Sequence, residues 1–400
     1  MKLKQWMALG CAVLTFMMPF SARADEEDLT DLNVPMEAES VAAATAADLQ
    51  ITSASAVLVE QSTGKVIYEK DAHEQRKPAS VTKVMSLLLI MEALDRGDFS
   101  LETEVKTSPY AASMGGSQIW LKENETMTVN ELLKATAIAS ANDATVALAE
   151  TVAGSEEAFV GRMNERAAQL GMKDTHFENA TGLDANGHVT SAYDIALMSR
   201  ELLKHPLITS YTTVWMDTLR DGKSELVNTN KLVRFYEGTT GLKTGTTSGA
   251  GFCLSASATR GGISFVAVIM DAPSSKVRFN EARSLLSYGF ANYCLVKPTL
   301  PEEALAPLAV SGGTESTVGV RMDGQAAFVV ERSKKDAVTV TFERAETVKA
   351  PVRTGDEVGI ARITVDGEEI GSVPLLAEKG VDKMTFWVAV LRLLCQMAAV

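Results

Sequence analysis

Ser80 and Lys83 are the residues with which chemistry can begin. A serine hydroxyl attacks an acyl carbon only once a base takes its proton, and Ser80-Val81-Thr82-Lys83 places an amine three residues further on. If Ser80 opens a helix, Lys83 lies one turn along the same face, within reach of the hydroxyl. The helix N-terminus would also turn free N–H groups toward the site and favour developing negative charge. Alone this pattern is weak, because Ser62-Thr63-Gly64-Lys65 repeats it. That second copy falls in a predicted hairpin turn, where no helix holds the lysine beside the serine. It is read as a chance match.

Two further short motifs lie downstream. Ser140-Ala141-Asn142 separates two predicted helices, and Lys243-Thr244-Gly245 begins a strand. Each has a plain structural reading: Ser140 ends a helix, Asn142 caps the next, and Lys243 is an exposed strand lysine. Arg353-Thr354-Gly355 shows how cheaply a triplet like the last one arises. All three motifs in this order, each in a suitable context, make coincidence a poor explanation.

The elements that must position them can be read from periodicity and punctuation. Ser55 to Val59 and Lys65 to Glu69 form two strands around a turn at Gly64. In Val81 to Asp95, Val84, Leu87, Leu88, Met91 and Leu94 recur at helical spacing, and Gly97 supplies the stop. Thr128-Val129-Asn130-Glu131 is a capping box opening a helix to about Ala139. A second helix starts near Asp143, and a third is capped by Ser155 and ends before Gly171. Ala180 to His188 is a loop. Strands follow around Lys243, at Gly251 to Ala258 and at Ile263 to Met270, then a closing helix from Arg278 to Tyr293. Strands that flank a helical middle predict an α+β domain, an antiparallel sheet with helices on its faces and a helical subdomain.

Past Pro298 the pattern changes. Thr317 to Met322, Ala326 to Glu331 and Val338 to Glu343 alternate and are split by Asp323-Gly324 and Lys334-Lys335-Asp336, predicting a small all-β domain. At the C-terminus Asp382, Thr385, Ala389, Arg392 and Gln396 share one helical stripe, opposite a wide apolar face. That suits a helix lying in a membrane interface, weighed against a core helix packing back on the protein. The N-terminus reads as an export signal: Lys2 and Lys4, an apolar run from Trp6 to Phe20, and Ala22-Arg23-Ala24 as a cleavage site. A lipoprotein reading at Cys11 fits poorly, because the apolar stretch continues past it. The expected organisation is therefore a signal peptide over 1–24, a flexible acidic leader over 25–48, a catalytic domain over 49–297, a β-sandwich-like domain over 298–376 and an amphipathic anchoring helix over 381–400.

Bulk composition narrows the classes. With 46% hydrophobic and 22% charged residues the chain is ordinary globular protein, and a net charge of −13 argues against nucleic acid as partner. Cys253, Cys294 and Cys395 would remain after cleavage, an odd and widely spaced set that makes no disulfide framework. No Cys-x-x-Cys or His-Glu-x-x-His pattern appears, so neither a metal nor a cofactor is expected.

At this point the chain resembles a known family, the low-molecular-mass penicillin-binding proteins of the D-alanyl-D-alanine carboxypeptidase type (serine peptidase family S11). Their three motifs are Ser-x-x-Lys, Ser-x-Asn and Lys-Thr-Gly. Asn179-Ala180-Thr181-Gly182-Leu183-Asp184 and Thr229-Asn230-Lys231-Leu232 support the likeness. It implies a penicillin-binding-protein/β-lactamase-like transpeptidase fold and removal of the terminal D-alanine from peptidoglycan pentapeptides through an acyl-enzyme. Ser80 would be the nucleophile, Lys83 its base, Ser140 a proton relay and Asn142 a holder of Lys83 and substrate. Backbone N–H groups of Ser80 and Thr246 would form the oxyanion hole, beside Gly245. Lys243, Thr244 and Arg278 would bind the substrate carboxylate, and His188 would be structural. Expected partners are stem peptides ending in D-Ala-D-Ala, β-lactams as covalent inhibitors and the outer face of the cytoplasmic membrane.

Rival readings share the core chemistry. A class A β-lactamase needs Glu-x-x-Leu-Asn on a loop, and the region from Glu178 to Asp194 lacks it. A D,D-endopeptidase would share all three motifs, and a non-catalytic penicillin-binding sensor could keep the fold. The intact motif residues, the β domain and the tail favour carboxypeptidase.

Overall fold

The computed structural model describes residues 45–324 and 326–390. The expected signal peptide, most of the leader, Cys11, Cys395 and the last ten residues of the proposed anchor lie outside them. The centre is a five-stranded antiparallel sheet built from β1 (Ser55–Glu60), β2 (Val66–Lys70), β3 (Thr239–Thr247), β4 (Gly251–Arg260) and β5 (Ile263–Ala272), in the order β2-β1-β5-β4-β3. Val57 pairs with Val268 across β1 and β5. The inner strands are buried on both faces, so alternation sorts their side chains into two cores. Val57, Val59, Val266, Val268 and Met270 join the helical side. Ala56, Leu58, Phe265, Ala267 and Ile269 join the closing-helix side.

The helical side holds α1 (Lys83–Arg96), α2 (Val129–Ile138), α3 (Asn142–Ala153), α4 (Glu156–Gln169) and α5 (Ala192–Leu202). Helix α1 is buried from Lys83 to Met91, which makes it the axis of this core, and it stops at Gly97 with φ +75°. The capping box of α2 forms as the sequence predicts: Glu131 N–H donates to Thr128 Oγ1 at 3.2 Å and Thr128 N–H to Glu131 Oε2 at 2.9 Å. Ser155 Oγ caps α4 by accepting from Ala158 N–H at 3.1 Å.

The other face carries α6 (Ser275–Asn292), whose Phe279, Ala282, Leu285 and Leu286 pack on the sheet. It begins three residues before the predicted start, because Ser274 Oγ caps it by accepting from Val277 N–H at 3.2 Å. Arg278 thus sits inside the first turn. Helix α5 and the hairpin Met216–Leu219 with Ser224–Val227 fall in a stretch to which the sequence assigns no element.

The C-terminal region is all-β. One sheet has Val320–Met322, Glu368–Ala377, Glu357–Val365 and Val338–Arg344 as neighbours; another has Thr317–Val318, Leu308–Ser311 and Thr347–Lys349. Its longest hairpin, Glu357–Val365 with Glu368–Ala377, turns at Asp366-Gly367. Both turn residues have positive φ, as the primed two-residue turns require. Strand Tyr293–Val296 leaves α6 directly and pairs with Phe328–Glu331 of the β region. Arg332 Nη2 donates to the carbonyls of Phe290 at 2.9 Å and Tyr293 at 3.1 Å, and Lys65 Nζ donates to Val329 O at 3.0 Å. Among the described residues no helix is long and apolar enough to cross a membrane.

Phe279 is the fully buried aromatic through which α6 grips the sheet. Phe279→Ala is expected to cost about 3–5 kcal/mol, the range for emptying such a site. A denaturant midpoint shifted with unchanged slope in urea would show it.

Candidate active site

Ser80 lies in a short 3-10 turn, Ala79–Thr82, that feeds straight into α1. The sequence predicts Ser80 at the helix start; the tighter turn serves better, since residues three apart eclipse one another in 3-10 geometry. Lys83 Nζ is 3.0 Å from Ser80 Oγ, 2.6 Å from Asn142 Oδ1 and 2.8 Å from Thr181 O. Lys83 is 0% exposed. Its amine sits well below the usual lysine range because burial penalises the charged form, helped by the nearby Lys243 and opposed by Asp143.

The three contacts then sort themselves. Asn142 Nδ2 donates to Gly115 O at 2.7 Å, which fixes Oδ1 on the amine. Asn142 Oδ1 and Thr181 O can only accept, so they take the two N–H groups of a neutral amine. The lone pair is left for the Ser80 hydroxyl, which can donate. That is the arrangement a general base requires.

Ser140 links α2 to α3 with φ +64°, and Asn142 is the first residue of α3. The tight link brings both side chains to one end of the helical layer. Thr229 N–H, held by Ile138 O at 3.1 Å, ties a third segment to the same place, and Thr244 Oγ1 donates to Thr229 Oγ1 at 2.7 Å.

Strand β3 carries Lys243, Thr244, Gly245 and Thr246 along the Ser80 turn. A Cβ on Gly245 would lie 2.8 Å from both Pro78 O and Ser80 N, so only glycine lets the strand run this close. Lys243 is 1% exposed and its Nζ donates to Thr244 O at 2.9 Å. Burial and the charge of Arg278 pull its amine down to about 7. Arg278 is itself buried, not solvated. Its Nη1 donates to Gly245 O at 3.2 Å, Thr246 Oγ1 at 3.1 Å and Cys253 O at 3.2 Å, and its guanidinium lies near the rings of Phe252 and Phe279.

The structure therefore brings Ser80, Lys83, Asn142 and the 181 loop into direct contact, with Gly245 against the Ser80 backbone and Arg278 on Gly245 and Thr246. The second Ser-x-x-Lys does not assemble. Ser62 Oγ donates to Glu60 Oε2 at 2.9 Å while Lys65 reaches away to Val329.

Three contributors escape sequence reasoning as individuals. Thr181 supplies an acceptor to Lys83 through its backbone, which no side-chain motif reveals. Gly182, with φ +87°, passes over the Ser80 turn so closely that a Cβ would fall 1.8 Å from Ala79 O. Asp143, fully buried beside Asn142, accepts from the N–H groups of Ile119 at 3.2 Å, Leu121 at 2.9 Å and Ala144 at 2.9 Å.

His188 is a strut, as its place in the loop suggests. Nδ1 accepts from Glu178 N–H at 3.0 Å, so the neutral ring carries its proton on Nε2 and donates to Thr82 Oγ1 at 2.8 Å. Burial and His176 lower it to about 4, against an opposing pull from Asp184. Cys253 is a buried free thiol pushed up to about 11, mainly by burial. Among the described residues no group of three or more His, Cys, Asp or Glu is placed to hold a metal ion.

Comparison with known proteins agrees with this geometry. Residues 40–274 match the family model described as D-alanyl-D-alanine carboxypeptidase, and residues 296–383 match the penicillin-binding protein 5 C-terminal domain. The D-alanyl-D-alanine carboxypeptidase DacF of Bacillus subtilis is 42% identical over 336 residues, covering 83% of this chain and 86% of the relative. DacC of Escherichia coli is 32% identical over 83% of this chain and 84% of its own. Among solved structures, penicillin-binding protein 5 from Haemophilus influenzae superposes with TM-score 0.76 at 28% identity, over 84% of this chain and 98% of that one. The ampicillin-bound penicillin-binding protein D2 of Listeria monocytogenes covers 60% of this chain and 98% of its own, with TM-score 0.56 at 30% identity.

Two predictions follow from the geometry around the Ser80 turn. Gly182→Ala forces the turn to move by an ångström or more, and a displacement of that size costs on the order of a hundredfold in rate. β-Lactam acylation should slow by about that factor while circular dichroism stays native; unchanged acylation would refute the close-approach argument. For His188 the folded value of about 4 lies below the unfolded 6.5. The unfolded chain therefore binds the proton first as pH falls. Stability from this group is complete above 6.5 and is lost between 6.5 and 4, on the order of 3 kcal/mol in all. His188→Asn should flatten the acid side of the thermal-midpoint profile.

Proposed function

The chain belongs to the D-alanyl-D-alanine carboxypeptidase family, and from that premise we propose how its residues release the terminal D-alanine of peptidoglycan pentapeptides. As a family member it is a penicillin-binding serine carboxypeptidase with a penicillin-binding-protein-5-like fold, from a family that works in the cell-wall space.

Ser80 Oγ attacks the carbonyl carbon of the penultimate D-alanine while its proton passes to the Lys83 lone pair. The oxygen charge that develops is met by the N–H groups of Ser80 and Thr246, and the bare Gly245 lets these two segments come close enough to share it. Collapse of the tetrahedral species breaks the C–N bond, and the departing amine takes a proton through Ser140. D-Alanine leaves, and water then cleaves the Ser80 ester with Lys83 as base. Asn142 keeps Lys83 oriented throughout.

Lys243, Thr244 and Arg278 serve the substrate carboxylate. Arg278 acts through its hold on Gly245 and Thr246, presenting a positive field at the strand edge. A β-lactam mimics the D-Ala-D-Ala terminus, acylates Ser80 and is hydrolysed slowly, because the loop from Glu178 to Asp194 lacks the Glu-x-x-Leu-Asn motif. Export by residues 1–24 and peripheral attachment by an amphipathic C-terminal helix complete the reading. The expected bounds 381–400 are corrected: Val381 bridges Val352 and Lys383 bridges Gly313 in the β region, and the helix starts only at Phe386. Phe386 and Trp387, exposed at the start of that segment, support the attachment.

The observation that carries the reading is the contact set of Lys83: two pure acceptors and one hydroxyl on a buried amine. Wild type should release D-alanine from a D-Ala-D-Ala pentapeptide and gain a penicillin adduct in intact-protein mass spectrometry. Ser80→Ala should do neither; an adduct persisting there would remove Ser80 from the mechanism. Lys243→Gln tests the electrostatics. Removing a positive neighbour raises the pKa of Lys83, so the acid limb of the acylation rate should move to higher pH. A limb that stays put or moves to lower pH contradicts the assignment of base.

A further inference from the structure

The segment from Gly115 to Leu121 crosses the N-terminus of α3 and is stitched to it. Asn142 donates from Nδ2 to Gly115 O and from its backbone N–H to Ser117 O, both at 2.7 Å. Asp143 accepts from Ile119 and Leu121 on either side of Trp120. Ile119 and Leu121 are buried, while Trp120 between them is 74% exposed and has φ +60°. A bulky side chain in the left-handed region is strained, and such strain persists where the surroundings over-determine it, commonly at ligand-binding positions. Here two hydrogen bonds to a buried carboxylate hold the backbone, and the product is a rigidly displayed, exposed indole.

Trp120 edges a groove of about 620 Å³ whose other walls include Asn124, Glu125, Arg220 and Ser224. The Arg220 guanidinium is fixed in place: Nε donates to Glu125 Oε1 at 2.7 Å, and Nη1 to Ile119 O at 2.9 Å and Ser224 Oγ at 3.0 Å. A fixed planar cation, a carboxylate and an amide beside an exposed indole form a surface for an uncharged, hydroxyl-rich ring. The ring's C–H face lies on the electron-rich indole face, and its hydroxyl and amide groups meet the planar polar side chains. Lys122 and Arg220 on the groove are balanced by Glu123 and Glu125, so it offers no excess positive charge to an anionic lipid surface.

Position connects this groove to the reaction. Asn142 and Asp143, with one hydrogen bond on each side, are all that separate the Trp120 loop from Lys83 Nζ. Four extended residues reach at most ~14 Å, so a stem peptide with its end at Ser80 keeps the sugar that bears it within a short distance of the site. We propose that the Trp120 groove binds an N-acetylated amino-sugar ring of the glycan strand carrying the stem peptide. Trp120 is then a specificity residue that favours glycan-linked over free pentapeptide. The inference rests on the carboxypeptidase reading.

The test compares wild type, Trp120→Ala and Trp120→Tyr on two substrates, free pentapeptide and the same pentapeptide on its disaccharide, read as kcat/KM for D-alanine release. Trp120→Ala should lose roughly tenfold on the disaccharide substrate, mainly through KM, and remain unchanged on free peptide. Trp120→Tyr, which keeps a ring, should retain most of the activity. Quenching of tryptophan fluorescence by N-acetylglucosamine oligomers should be seen in wild type and lost in Trp120→Ala. Equal loss on both substrates, or no loss on either, overturns the inference while leaving the carboxypeptidase reading intact. A loss confined to vesicle binding also overturns it, and assigns the indole to a lipid surface. If wild type releases no D-alanine from either substrate, the underlying reading fails, and the inference with it.

Discussion

Everything in the active centre depends on keeping one buried amine uncharged yet saturated with partners. An ammonium placed where Lys83 sits would cost several kilocalories per mole in desolvation without a counter-ion. Among the described residues none is in direct contact; Asp143, whose charge opposes the lowering, spends its oxygens on three backbone N–H groups. The stable solution is a neutral amine with its N–H groups on Asn142 Oδ1 and Thr181 O. Basicity toward Ser80 is a consequence of that arrangement. It needs no separate device.

That requirement propagates outward as close backbone approach. Thr181 O must reach Nζ, so the loop carrying it must lie on the nucleophile turn, and Gly182 is the residue that permits it. The same loop is pinned by Asn179 Oδ1, which accepts from the N–H groups of Thr181 at 3.2 Å and Gly182 at 2.7 Å, and by Ser86 Oγ, which donates to Ala180 O at 2.6 Å. On the far side Gly245 allows β3 the same intimacy. Two glycines from segments about sixty residues apart thus clamp one turn. The two-sided core behind the sheet is what gives that clamp rigid jaws.

Legibility in the sequence follows the range of the interaction. Local signals read correctly: the Thr128 capping box, Gly97 as a stop, and the apolar spacing of α1 all rest on neighbours within a turn. The three motifs were legible because they are carried by side chains whose types and spacing show in the sequence. Backbone contributions were not, since Thr181 offers a carbonyl that any residue possesses. Helix α5 escaped because its start signal, Ser191 with Asp194, lacks the Glu or Gln of a full capping box. The Asp366-Gly367 hairpin is a different case. Its turn signal is strong, but the flanking strands mix charged and apolar residues and do not alternate cleanly. Arg278, expected as a partner for the substrate carboxylate, also donates to Gly245 O, Thr246 Oγ1 and Cys253 O, contacts that a helix-start position does not reveal until the strand it supports is in view.

The cations of the site form a graded series. Arg278 is permanently charged and lowers Lys243; Lys243 in turn lowers Lys83. Burial is the larger cause for both lysines, and the positive neighbour adds to it in each case. A lysine at 278 would not replace the arginine. Its ammonium could itself lose a proton on burial, whereas the guanidinium stays charged.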